Sequence, residues 1–145
     1  MTVFAPSVVN LWRTIDSYGI DPAPLFEAEN IRIKLPIDPG MRLSYEKIDR
    51  IRAQAANLTG DEAMGLRAAS VYLVSQLGAL GFAFQASLTL RKACQRLERF
   101  ARVVNDKANV HVEDGDGCMC VTLELNVHSE NKPVRDDGAL AMVAR

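Results

Sequence analysis

Apolar residues recur every three or four positions over most of the first hundred residues, and every second position after Asn109. The first period is that of a helix with one buried face, and the second that of a strand. The strongest helical pattern runs from Thr89 to Val104. Leu90, Ala93, Cys94, Leu97, Ala101 and Val104 share one side, and Arg91, Lys92, Arg96, Glu98, Arg99 and Arg102 fill the rest. Thr89 is placed to cap the first turn, its side-chain oxygen accepting an orphan amide hydrogen. The stretch before it, Gly78 to Ser87, is punctuated by glycine and almost without charge, which predicts a segment held inside the domain.

Earlier in the chain, Met1 to Pro6 reads as a loose lead-in. Val8, Leu11, Trp12, Ile15 and Tyr18 form an apolar stripe that Gly19 brings to a stop. Asp21 and Pro22 cap and start a short second helix through Leu25, Phe26 and Ala28. Pro36, Pro39 and Gly40 make the next segment a connector. Ser44 opens a helix with Ile48, Ile51, Ala55 and Leu58 on one side. A break follows near Asn57 to Asp61, and Asp61 caps a short turn to Gly65. Leu66 to Leu77 suits either more helix or a brief extended piece around Val71 to Val74, and a short helix from Leu77 to Gln85 comes next.

Asn109–Glu113 and Cys118–Val127 predict two strands joined around Asp114-Gly115-Asp116-Gly117. Val110, Val112, Met119, Val121, Leu123, Leu125 and Val127 make one core face, and the simplest register sets His111 opposite Cys120. His128 to Lys132 is a polar loop. Pro133 starts a last helix carrying Val134, Leu140, Met142 and Val143, weakened by Gly138. No stop signal follows Ala144, which predicts that residues 1–145 are one domain cut from a longer protein. The expected class is α+β, with a mostly helical N-terminal two-thirds, then an antiparallel β-hairpin and the start of a further helix.

Composition narrows the function. The 145 residues are 48% hydrophobic, with 17 basic and 18 acidic side chains, so no global field attracts nucleic acid or an anionic membrane. No apolar run approaches the roughly 18 residues of a membrane span, and no signal-like start is present, so a cytoplasmic location is the default. Cys94, Cys118 and Cys120 do not make a disulfide framework.

Chemistry has few candidates. His111, Cys118 and Cys120 could share a face and hold a metal, but the Cys-x-x-Cys loop of structural zinc sites is missing, and ordinary sheet residues are the simpler reading. Cys94 has core spacing, with no histidine near it in sequence. Glu113, Asp114, Asp116 and Glu124 fit turn chemistry better than a carboxylate pair. Gly78-Ala79-Leu80-Gly81 lacks the third glycine of a dinucleotide loop. No catalytic, metal or cofactor residue is assigned, and no cofactor is expected. The basic face of the Thr89 helix could meet phosphate, yet no neighbouring motif would seat it in a groove. Among the aromatics, Trp12, Tyr72, Phe82, Phe84 and Phe100 are the candidates for lining a small-molecule pocket, with core packing the first reading for each.

Four phrases in order carry more than any single residue. They are Tyr18-Gly19-Ile20-Asp21-Pro22, Leu58-Thr59-Gly60-Asp61-Glu62-Ala63-Met64-Gly65-Leu66, Leu77-Gly78-Ala79-Leu80-Gly81-Phe82-Ala83, and Ser87-Leu88-Thr89-Leu90 with Ala93. With these the chain resembles the arabinose-binding-type N-terminal domain of AraC-family bacterial transcription regulators, from about Val8 to Leu125. The resemblance implies a non-enzymatic regulatory domain that receives a small-molecule effector of unknown identity, self-associates as a homodimer, or both. It implies DNA contact only through a separate C-terminal helix-turn-helix domain. Gly60, Gly65, Gly78 and Gly81 then look fold-defining. The helical first hundred residues do not read as a small barrel, so a barrel-type sugar pocket is not implied. A pure interaction module, and more remotely a small enzyme or metal-binding domain, are the competing readings.

Overall fold

The computed structural model describes residues 1–34, 37–129 and 132–144. The expectations for Pro36, for the middle of the 128–132 loop and for the Met142 side chain lie outside the described residues. The first residues are not a loose lead-in. Thr2–Phe4 (β1) pairs antiparallel with Arg42–Ser44 (β2), and the central residues Val3 and Leu43 face each other, both buried. Three residues are too few to show a period, and the partner strand lies far along the chain.

Helix α1 (Ala5–Asp16) follows at once, with Pro6 in the first turn, where no intrahelical amide bond is lost. Helix α2 (Ala23–Ala28) begins after Asp21, whose carboxylate accepts from the Ala23 amide at 2.9 Å. Helix α3 (Tyr45–Thr59) is capped by Ser44, which accepts from the Lys47 amide, and is closed by Gly60 in the left-handed region, φ 61°. The ambiguous stretch resolves into α4 (Met64–Val71) and a 3-10 turn at Val74–Leu77. Helix α5 (Ala79–Gln85) leads to α6 (Leu90–Val104), where Thr89 Oγ1 accepts from the Lys92 amide at 3.2 Å. Strands β3 (Ala108–Gly115) and β4 (Cys118–Leu125) and helix α7 (Lys132–Ala144) complete the order. The α+β class stands: a helical body with a hairpin and a final helix.

The hairpin register differs from the simple expectation. Its loop is the two-residue Asp116-Gly117, with Gly117 at φ 75°, so Gly115 faces Cys118. His111 therefore sits opposite Thr122, and Cys120 opposite Glu113. The slip is two residues, so every side chain keeps its face. Val110, Val112, Met119, Val121, Leu123 and Leu125 point inward, and their neighbours along β4 are exposed.

Gly78 to Ser87 is less interior than expected. Only Leu80 and Gly81 are buried, while Phe82 is 62% exposed and Leu88, just beyond, 87%. Helix α5 rests one face on α6 and the 3-10 turn, and so short a helix leaves its other face in water. On α6, Ala93, Cys94 and Ala101 are buried, but Leu90 at the helix start is 64% exposed.

Two apolar cores form. One gathers Val3, Val8, Ile15, Phe26, Ile48, Ile51, Met64 and Val134 from the helices and β1. The other packs Ala101 and Leu97 of α6 against Ala108, Val110, Val112, Val121, Leu123 and Leu125 of the ribbon. Helices α4 and α7 cross closely: a Cβ on Gly65 would lie 2.1 Å from the Val134 carbonyl oxygen.

Candidate functional site

A cavity of about 250 Å³ separates the two cores. The helical core lines it with Val8 and Leu11 of α1, Ile48 of α3, Met64 and Ala68 of α4, and Val134 and Ala139 of α7. Leu97, Ala101, Val110, Leu123 and Leu125 of the second core form the opposite side, and Leu80 and Phe84 of α5 contribute at the edge. Most of this wall is carbon. Volume and lining suit a small ligand, since binding cavities are mostly apolar with a few placed polar groups.

The polar groups are few and deeply set. Asn10 is 6% exposed, and its side-chain oxygen accepts from the Leu73 amide at 3.0 Å. A backbone N–H can only donate, so that bond fixes which way the side-chain amide points. The Asn10 Nδ2 group is left without a partner. Thr14 has its hydrogen committed to the Asn10 carbonyl at 2.7 Å. Tyr45 is 3% exposed, and its hydroxyl lies beside the Arg135 guanidinium without a hydrogen bond of good geometry. Each such orphan costs about 1–3 kcal/mol when buried dry.

Arg135 adds a charge to these groups. It is 5% exposed and lines the cavity beside Tyr45. Its Nε and Nη2 bond Asp136 Oδ1 at 2.8 and 2.7 Å, and Nη1 donates to the Val127 carbonyl at 3.2 Å. Burial opposes its charge, but Asp136 and the nearby Tyr45 oxygen outweigh this and hold its pKa above the ordinary value. A full positive charge therefore sits in the wall. Arg52, the other basic residue there, is paired with Asp49 at 2.9 Å. Among the described residues no Asp or Glu lines the cavity.

The sequence-derived aromatic candidates divide. Tyr72 and Phe84 lie on the cavity wall, and burial raises the Tyr72 hydroxyl pKa. Trp12 lies outside it, its ring 5.1 Å from that of Phe26 at the edge of the helical core. Phe82 and Phe100 also lie outside it and are exposed, Phe100 with the Arg99 guanidinium 5.2 Å from its ring. The sequence pattern singles out none of Asn10, Tyr45 and Arg135. Asn10 did leave a trace, as a polar residue between Val9 and Leu11 in an apolar stripe. The other two left none.

The chemistry-bearing residues elsewhere do not converge. His111 and Cys120 are set in different cross-strand pairs, and among the described residues no group of three or more His, Cys, Asp or Glu is placed to hold a metal. Cys94 is buried, and desolvation pushes its thiol pKa up, away from the nucleophilic thiolate. The basic face of α6 is largely tied down: Arg91 pairs with Asp114, Arg96 donates to the Ala83 carbonyl at 2.6 Å, and Arg102 donates to Asn109 at 2.6 Å. Among the described residues no helix is long and apolar enough to cross a membrane.

Residues 19–145 match the family described as the arabinose-binding domain of AraC transcription regulators, N-terminal. The chain is also similar to the ornithine utilization regulator of Pseudomonas aeruginosa, 32% identical over 90 residues. That stretch is 62% of this chain and 26% of the regulator, so the match spans about a quarter of the relative.

Proposed function

This chain belongs to the family of N-terminal arabinose-binding domains of AraC transcription regulators, and from that premise we propose that the cavity between its two cores is the effector site. The domain is regulatory and does no bond chemistry. The observation that supports the site is the pair of orphaned polar groups, Asn10 Nδ2 and the Tyr45 hydroxyl, buried in the wall of an otherwise apolar space. A ligand that meets them makes hydrogen bonds that no protein group supplies.

The cavity is bordered by α1, α4, α5, α6, the ribbon and α7, so an occupant contacts both cores at once. If two arrangements of those cores bind the ligand unequally, occupancy shifts their balance. In this reading the shift is passed to a helix-turn-helix DNA-binding domain outside this chain, in a cytoplasmic homodimeric regulator. The test is native mass spectrometry of the full-length regulator with a panel of metabolites, reading bound mass and oligomer together, with Ala68→Leu to occupy the cavity. A bound metabolite whose peak vanishes in Ala68→Leu supports the site. Undiminished binding in that variant rules it out.

A second reading rests on a different observation. Phe82, Leu88 and Leu90 are 62%, 87% and 64% exposed along the α5–α6 corner. Exposed apolar side chains clustered along one stretch are the usual mark of a contact surface. There the domain would act as a dimerisation module with no ligand. Sedimentation of Leu88→Asp separates the two: this reading expects a monomer, and a dimer unchanged by the substitution removes it.

A further inference from the structure

Resting on the cavity as the effector site, we infer that its occupant is a small carboxylate with an apolar body, anchored by Arg135, Tyr45 and Asn10. The polar groups of the wall that lack partners are nearly all donors. The Asn10 amide offers two N–H groups and Tyr45 one O–H. Of the five guanidinium N–H groups of Arg135, Nε and Nη1 donate to Asp136 and Val127 and Nη2 pairs with Asp136, which leaves at most two, with the Tyr45 oxygen the nearest protein acceptor. The one acceptor among these groups is the Tyr45 oxygen, since the Asn10 oxygen is held by Leu73. Donors without acceptors call for a ligand that brings acceptors.

Charge selects further. The wall carries two arginines and, among the described residues, no acid. The counterion of Arg135 is Asp136, whose side chain is 37% exposed and so partly screened by water. A carboxylate inside the cavity meets a charged donor in a drier place, where such hydrogen bonds are stronger. An ammonium there would meet arginine and find no carboxylate. An α,ω-diamino acid, with two such groups and one carboxylate, is therefore a poorer fit. A sugar fits poorly: Val8, Leu80, Leu97 and Leu123 offer its hydroxyls nothing, and each unmatched hydroxyl loses its water.

Size sets the scale. About 250 Å³ corresponds to the liquid volume of about eight waters, or a molecule of roughly ten non-hydrogen atoms. Octanoate has that size and shape. So, nearly, does 4-phenylbutyrate, whose ring Phe84 and Tyr72 can meet.

The test is isothermal titration of the full chain with octanoate, octanol and octylamine, repeated on Tyr45→Phe and Arg135→Met. Octanoate is expected to bind at least about tenfold more tightly than octanol, with octylamine weakest. Tyr45→Phe, which keeps the shape of the ring, is expected to weaken octanoate by about three- to tenfold and octanol less. Arg135→Met is expected to erase the preference for octanoate. Should that variant not fold, Tyr45→Phe decides alone. Octanol or octylamine binding as tightly as octanoate overturns the carboxylate assignment and leaves the cavity as a ligand site. An unchanged octanoate affinity in Tyr45→Phe overturns the anchoring. No binding of any of the three overturns this inference and leaves the effector-site reading to the metabolite panel and Ala68→Leu.

Discussion

Tyr18 donates to Asp61 Oδ2 at 2.6 Å, beneath the Arg67 guanidinium 4.2 Å from its ring. Burial, and then Asp61 as hydrogen-bond partner and charge, push the Tyr18 pKa from 10.0 up to about 12. The neutral phenol is thus favoured in the fold. Its contribution to stability is complete below pH 10 and is lost as the pH rises towards about 12. Asp61 moves the other way: the Tyr18 hydroxyl, then the Ala63 amide, lower its pKa. Its contribution is present above the ordinary carboxylate range and is lost as pH falls through its depressed folded value. Urea titrations across pH, followed by Trp12 fluorescence, should show a shallower alkaline decline in Tyr18→Phe and a shallower acid decline in Asp61→Asn.

Gly65 is the other informative single position. A methyl group there meets the Val134 carbonyl, which belongs to a helix backbone and cannot step aside. Gly65→Ala should destabilise the protein by about 1–3 kcal/mol, measured as a lower urea midpoint. The phrase around Gly65 marked it as fold-defining in the sequence. Which carbonyl it makes room for depends on α7, about seventy residues further on, and no local pattern contains that.

At the scale of elements, the legible features are those closed by local contacts. Ser44 and Thr89 bond amides three residues ahead, so their role as caps is written in the adjacent sequence. Thr89→Ala should cost about 1 kcal/mol by thermal unfolding, and Ser44→Ala about the same. Inward and outward alternation along β4 was likewise legible, because period two survives a slip of two. The slip itself was not. It turns on whether the hairpin loop is two residues or four, and both glycines of Asp-Gly-Asp-Gly could have served. Strands β1 and β2 escaped for a different reason: three residues carry no period, and their pairing is non-local.

For the whole molecule the decisive feature is the gap between two cores. Ala68 faces it from α4, and Ala68→Leu fills part of the space with carbon. The variant should keep its fold, judged by circular dichroism, and lose the ligand-induced rise in melting temperature. In the parent, a ligand at a hundred times its Kd adds about 2.7 kcal/mol, or very roughly 5–10 °C for a chain of this length. An equal rise in both proteins would place the ligand elsewhere.

The linear order of residues determined by itself the helical period, the caps, the turn glycines and the two faces of the ribbon. Each of these depends on neighbours within about four positions, or on strict alternation. Tertiary structure alone decided that Tyr45, Asn10 and Arg135 face one space, from three helices far apart in the chain, while Phe82 and Phe100 turn to water. Every helix has a buried side and an exposed side, and which aromatic falls on which depends on how the helices cross. A cavity is the volume that packing leaves unfilled, so it belongs to no single segment and has no signature in one.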